Sequence, residues 1–305
     1  MKIKLDKILC ATDFSDFSRY VIHFGVGLAL RFNSHLTVFH AVSFPRDQLY
    51  GNVLSRGGER KKLADKACEK IRNLMENHSP ELKWEPLVSF GDPVDEAAQI
   101  AEQQNADIVI AASYGLSGLK RILLGTVVER MARTVSRPLL VVHPPKHPET
   151  DIPLEFRKIV AGCALSDDSG QSLKYAISLT VEFQAELHLL HAVETPLDED
   201  IVNPAQAPYG EVQRELQDRL CQRLARLVPD EVFGQCNVKT VLIKGVPGEG
   251  LSSYAAENGA DLIVIGVRHR SAIEKLLVGS TTEAVLRHAP CPVLVIPLKL
   301  ETGVS

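Results

Sequence analysis

Two hydrophobic patterns alternate along the chain. Short apolar runs of strand length, KILCAT (7–12), HLTVFHAV (35–42), LKWEPLVS (82–89), ADIVIAAS (106–113) and RPLLVV (137–142), stand apart from one another. Between them, apolar residues recur every three or four positions, as in RYVIHFGVGLALRF (19–32) and ERKKLADKACEKIRNLMEN (59–77). The first pattern predicts strands and the second predicts amphipathic helices. Runs that are apolar on both faces and separated by helices belong to a parallel sheet covered on both sides. The expected unit is a five-stranded α/β domain.

The pattern then repeats. KILCATDFSDFS at 7–18 returns as KIVAGCALSDDS at 158–169, and LTVFHAV at 36–42 as LHLLHAV at 187–193. SFGDPVDE (89–96) matches IKGVPGEG (243–250), NADIVIAAS (105–113) matches GADLIVIGV (259–267), and SRPLLVV (136–142) matches PCPVLVI (290–296). One net insertion of three residues reconciles the halves. Self-similarity on this scale marks a duplicated domain. The stretch HPPKHPETDIPLEF (143–156) holds four prolines, which disfavour helix and lack ladder N–H groups, and it reads as a stiff connector. The expected division is a first domain over 1–145, a linker over 146–156 and a second domain over 157–305.

Composition narrows the classes. With 305 residues, a net charge of −4 and 45% hydrophobic content, the chain has no basic field for nucleic acid and no polybasic membrane anchor. The longest apolar runs are strand length, and MKIKLDKILC shows no secretory h-region. The six scattered cysteines form no C-x-x-C pair and fit buried, reduced thiols, so the expected compartment is the cytoplasm.

Candidate chemistry gathers in AASYGLSGLKRILLGT (111–126) and its echo IGVRHRSAIEKLLVGS (265–280). The first leaves a strand at its carboxyl end, where open α/β sheets bind ligands. Gly115 permits close backbone approach, and Gly125-Thr126 opens the helical segment VVERMARTV. A helix start offers unpaired N–H groups and a positive dipole end, which suits phosphate. The alternative is a plain strand end, with Thr126 only an N-cap. Neither a Walker loop nor a G-x-G-x-x-G follows a strand.

These segments resemble the universal stress protein family, whose ATP-binding members carry G-x2-G-x9-G-[ST] after the fourth strand. Here the halves read Ala112-x2-Gly115-x9-Gly125-Thr126 and Gly266-x2-His269-x9-Gly279-Ser280. The resemblance runs over both halves and includes KILCATDFS, the G-x-P at Gly91 and Gly245, and RHAPCPVLVIP. It implies two tandem Rossmann-like, adenine nucleotide α-hydrolase-like domains in a non-enzymatic stress-response protein. It also implies bound ATP or ADP (or AMP), with Mg2+ accompanying ATP. By the same resemblance Asp13 lies near the ribose, and Val42 and Val193 lie by the adenine. Gly115, Gly125 and Thr126 meet the phosphates in the first half, as Gly266, Gly279 and Ser280 do in the second. Repeat one departs at Ala112, a change that costs little at negative φ and about a kcal/mol at positive φ. Repeat two has His269 for the second glycine and Ala164 in place of the aspartate. Repeat one is therefore the expected nucleotide site. The alternative is a nucleotide-free module that binds an unknown protein partner. The resemblance further implies pairing through the final strands, within the chain as a pseudo-dimer or between chains as a homodimer.

Other candidates carry bland readings. His40 and His191 hold equivalent places and read as structural. His188 and His191, three apart on a strand, point to opposite faces and share no metal. His143 and His147 flank prolines that deny them helical spacing. Lys120 and Arg121 either reach phosphate or face solvent. Gly91/Pro93 and Gly245/Pro247 start helices, with Asp92 a candidate N-cap. RGGERKKLADKACEK and GEVQRELQDRLCQRL read as solvated helix faces, and TPLDEDIVNPAQAPYG (195–210) as an irregular segment.

Overall fold

The structure, a computed structural model, describes residues 2–43, 57–76, 78, 80–113, 125–143, 154–165, 170–193, 209–268 and 279–298. It comprises two compact units, one centred on Lys4–Leu154 and one on Glu155–Arg268 with the residues from Gly279 onward. The first unit runs β1 (Lys7–Ala11), α1 (Ser18–Phe32), β2 (His35–Val42), α2 (Gly57–Met75), β3 (Trp84–Phe90), α3 (Pro93–Gln103), β4 (Ile108–Ala112), α4 (Thr126–Thr134) and β5 (Leu139–Val142). The second runs β6 (Lys158–Gly162), α5 (Gly170–Phe183), β7 (Glu186–Val193), α6 (Tyr209–Ala225), α7 (Asp230–Phe233), β8 (Val238–Lys244), α8 (Pro247–Glu257), β9 (Leu262–Arg268), α9 (Ser280–His288) and β10 (Val293–Leu298). The one-turn α7 is a finding beyond the sequence pattern, being too short to show a helical period.

In the first unit the strand order is β3-β2-β1-β4-β5, and each neighbouring pair is parallel. The second unit repeats this as β8-β7-β6-β9-β10. The chain steps outward from β1 to β3 and then returns to the far side of β1 with β4. The β1/β4 seam is thus the switch point in strand order, the place where such sheets take ligands at the strands' carboxyl ends. Right-handed crossovers put α1 and α2 on one face and α3 and α4 on the other. Consistently, α1 touches α2, and α3 touches α4.

The strands are apolar throughout because both faces are covered. Ile8, Leu9, Cys10, Val109, Ile110 and Leu140 are essentially closed to water, as are Ile159, Val160, Leu187, Ile263 and Val293 in the second unit. Burial raises the thiols of Cys163 and Cys291 to about 12 and pushes Cys10 up as well, which removes their nucleophilic thiolate form.

Matching polar ties hold the two copies. Asp107 accepts from the backbone N–H groups of Asp6 and Lys7 at 2.7 and 2.9 Å, and Asp261 from those of Arg157 and Lys158 at 2.7 and 2.8 Å. The G-x-P segments start helices in both. Asp92 caps α3 by accepting from Val94 and Asp95, while α8 begins at Pro247 behind Gly245, whose φ of +105° favours glycine.

One tie belongs to the second unit alone. His188, 2% exposed, has the Tyr254 hydroxyl 2.8 Å from Nδ1 and Glu186 Oε1 3.3 Å from Nε2. Burial pushes its pKa below 6.5, and Glu186 opposes that only partly. The fold therefore holds His188 neutral, whereas the unfolded chain protonates it near 6.5. Its contribution to stability is complete above pH 6.5 and declines as the pH falls below that value. Urea titrations at pH 7.5 and 5.5 are expected to show a lower midpoint at 5.5, and His188→Gln to shrink that difference. An unchanged gap in the variant would remove His188 as the cause.

Candidate functional site

The site begins where β1 ends. Thr12 N–H donates to the Phe39 carbonyl at 2.8 Å, extending the ladder by one residue. The loop then folds on its own side chains. Phe14 N–H donates to Thr12 Oγ1 (3.1 Å), Ser15 N–H to Asp13 Oδ1 (2.9 Å) and Ser18 Oγ to Asp13 Oδ1 (3.2 Å). Asp13 is thus a loop-forming residue as well as a candidate ligand contact. Phe14 adopts φ 60°, unusual for an aromatic residue. Its ring lies 4.2 Å from that of His40, and Lys70 from α2 stands 5.0 Å over it.

His40 Nδ1 lies 2.8 Å from the Thr12 carbonyl. A carbonyl only accepts, so Nδ1 carries the proton. His191 Nδ1 meets the Cys163 carbonyl at 2.8 Å in the same way. Each histidine buckles the end of the second strand to the loop after the first, which accounts for both without a metal. Burial lowers the His40 pKa against the upward pull of the Thr12 bond and Asp13. His188 and His191 hydrogen-bond to different elements, Tyr254 of α8 and the loop after β6, as their strand spacing requires.

The other wall is the end of β4. Ala112 lies within the strand and has no positive φ, so its methyl adds no backbone strain. Ser113 N–H donates to the Val142 carbonyl at 2.8 Å, and the Ser113 carbonyl accepts from Gly125 N–H at 3.0 Å. That second bond brings the start of α4 back to the end of β4. Gly125 is the N-cap (φ −61°, ψ 132°), and no side chain caps the helix. The reading of Thr126 as an N-cap is corrected: Thr126 is the exposed first helical residue, and its hydroxyl makes no cap bond. Gly115, Lys120, Arg121, His269, His147 and nearly all of 195–210 lie outside the described residues.

Register brings the walls together. Cys10 pairs with Ile110, so Asp13 and Ser113, each three residues further on, leave neighbouring strands at one level. Val42 is half-buried at the end of β2, where its carbonyl accepts from Gly91 N–H at 3.2 Å. Asp13, Ser113, Gly125 and Thr126 therefore converge at the switch-point edge, with Val42 one strand beyond β1.

Ser113 is fully buried, and among the described residues its hydroxyl has no hydrogen-bond partner. Leaving such a group unmatched costs about 1–3 kcal/mol. The hydroxyls of Ser15 and Ser89 are likewise buried and unpaired. Sequence reading passed over all three, since lone serines carry no motif. The signal was available in the comparison of halves, because Val267 stands in the place of Ser113 and Ile243 in that of Ser89. Lys70 was also missed, on a helix read only as a solvated face.

The second edge has the same frame with different lining. Ala164 is exposed and Cys163 is buried. Gly266 lies in β9, where a Cβ would come within 2.9 Å of Leu298 Cδ1, so packing accounts for this glycine. Gly279 is the N-cap of α9 (φ −57°, ψ 146°), again without a side-chain cap, and Ser280 is the first helical residue. Val193 accepts from Gly245 N–H at 3.4 Å, matching Val42. Arg223 of α6 donates to the Leu165 carbonyl at 3.0 Å, beside Ala164.

A parallel α/β unit, duplicated and carrying an uncapped helix start at each switch-point edge, defines a class of small-ligand-binding folds. The sequence model of the universal stress protein family matches residues 4–143 and 155–297, and the chain belongs to that family as a tandem, two-domain member. A universal stress protein of Methanocaldococcus jannaschii is 29% identical over 141 residues, covering 46% of this chain and 82% of the relative. A universal stress protein A homolog of Coxiella burnetii is 32% identical over 149 residues, covering 47% of this chain and 97% of the relative. A solved universal stress protein from Archaeoglobus fulgidus matches with a TM-score of 0.68 at 21% identity, covering 97% of this chain and 99% of that one, a likeness of fold. Among the described residues no helix is long and apolar enough to cross a membrane, and no cluster of three or more His, Cys, Asp or Glu could hold a metal.

Proposed function

We propose that this chain is a stress-response regulator that binds an adenine nucleotide, ATP or ADP, at the carboxyl edge of its first unit, without turning it over as an enzyme. One observation carries the reading: the uncapped start of α4 is drawn by the Gly125–Ser113 bond to the level at which Asp13 leaves β1. A helix start with free N–H groups favours phosphate oxygens. A carboxylate across the seam favours a hydroxylated sugar. These residues fit a nucleotide. Magnesium would be held by the phosphates, since the described carboxylates offer it no cage. The second unit, with Ala164 opposite the start of α9, lacks the carboxylate and is the weaker site.

The test is a calorimetric titration of the full chain with Mg-ATP and ADP, together with mass spectrometry of small molecules released from gently purified protein. Saturable binding near one nucleotide per chain is expected, weakened about tenfold or more by Asp13→Ala through loss of a charged hydrogen-bond partner. No heat at millimolar nucleotide would sink the reading and leave a protein-interaction module.

A further inference from the structure

The leading residues of the two halves exchange places. Ile3 and Leu154 are equivalent positions of the two copies, as are Gly27 of α1 and Ser178 of α5. Lys2 and Ile3 belong to the second compact unit, although they open the first half of the sequence. The Ile3 N–H donates to Ser178 Oγ at 2.8 Å, and Lys2 Nζ lies 3.1 Å from Glu182 Oε2, one turn further along α5. Ser178 is 4% exposed, so its hydroxyl needs a protein partner and finds one in the chain start. Leu154 belongs to the first unit, and a Cβ on Gly27 would come within 2.4 Å of Leu154 Cβ. Only glycine lets the leucine seat this closely. Each segment then enters its own half: the Leu5 carbonyl accepts from Ser34 Oγ, and the Phe156 ring stands 4.8 Å from that of Phe183.

We propose that these segments are exchanged straps, in which residues 2–3 hold α5 of the second unit and Leu154 holds α1 of the first. Equivalent segments meet equivalent helix positions in both copies, yet the chemistry differs. One contact is a backbone hydrogen bond with an ion pair, and the other is an apolar side chain on a glycine. A chance contact of the chain start would have no counterpart at Leu154. The lysine of the ion pair is 75% exposed and adds little, so the hydrogen bond carries the first strap. Helix α5 follows the loop that holds Ala164, the counterpart of Asp13, and the strap thereby reaches toward the second unit's carboxyl edge. The inference is independent of the nucleotide reading. Its consequence is regulatory: a cleavage, modification or fusion at the amino terminus acts first on the second unit.

The test is hydrogen–deuterium exchange of the full chain, comparing wild type with Lys2→Ala/Ile3→Pro and with Leu154→Ala. Proline removes the Ile3 N–H donor without shortening the chain. The first variant is expected to speed exchange around Ser178 in α5 about tenfold, the worth of one hydrogen bond to a buried hydroxyl. It should leave α1 at its wild-type rate. Leu154→Ala is expected to do the reverse, loosening α1 around Gly27 and leaving α5 unchanged. Faster exchange of α1 in the first variant, or an equal rise in both helices, would make residues 2–3 part of their own half and overturn the proposal. Unchanged exchange of α5 in that variant overturns it as well. Loosening of α5 alone by Leu154→Ala would remove the reciprocal strap, and with it the exchange.

Discussion

Phe39→Ala is expected to remove about 3–5 kcal/mol from the stability of the first unit. Phe39 is 1% exposed in the middle of β2, in register with Ala11 on β1 and Leu87 on β3. Its side chain is among the largest fully buried ones in the molecule. A parallel strand hydrogen-bonded on both sides cannot collapse inward, so most of the cavity persists and its lining loses packing contacts. The Phe39 carbonyl still accepts from Thr12, so the loss reports side-chain packing and not the ladder. Against a typical domain stability of about 5–15 kcal/mol this is a large share. Urea unfolding should show a much lower midpoint at similar slope, with Phe39→Leu losing markedly less. A loss under about 1 kcal/mol would mean that the core around β2 is not packed as described.

Gly125→Val is expected to abolish nucleotide binding while the fold persists. At φ −61° and ψ 132° valine meets no backbone penalty, so the N-cap keeps its conformation. A valine at an N-cap costs only about 1 kcal/mol, and glycine supplies no capping side chain to lose. The three added carbons stand at the helix start, where a phosphate would have to approach the N–H groups of the first turn. The change should therefore act on the ligand far more than on stability. Calorimetry with Mg-ATP, paired with circular dichroism and a melting curve, separates the two effects. Wild-type affinity in a folded Gly125→Val chain would remove the start of α4 from the site. A glycine-to-valine change at Gly279 should alter the stoichiometry little if the first unit carries the binding.

Much of the fold was legible because its signals are local. HLTVFHAV gives β2 residue for residue, and RYVIHFGVGLALRF gives α1 to within one residue. The strand read from 82 begins instead at Trp84, and that read from 106 at Ile108, although Lys83 and Asp107 already hydrogen-bond to the neighbouring strands. The duplication was equally plain, as equal spacing survives divergence of side chains. Its structural counterparts, such as the Asp107 and Asp261 ties and the His40 and His191 buckles, appear only as contacts between residues far apart in sequence.

The candidate site was legible in part. Gly125 and Thr126 were named as a helix start, Asp13 only through the family resemblance, and Ala112 posed a question that its strand conformation answers without strain. The alternative that made Thr126 an N-cap fails because one residue decides between an N-cap and a first helical position. Ser113 was passed over although Val267 replaces it in the second half, and Lys70 could not be named, since nothing near it in sequence distinguishes it.

The sequence by itself determined two α/β halves, their helices and strands, and the candidate loop after the fourth strand of each. Periodicity and turn chemistry act over a few residues and are written directly into the order of side chains. Only the tertiary structure decided that β4 lies beside β1, that Gly125 returns to Ser113, and that a buried hydroxyl there finds no partner among the described residues. Strand order is a choice among long-range pairings of similar apolar runs, and a missing hydrogen bond is a property of everything packed around a group.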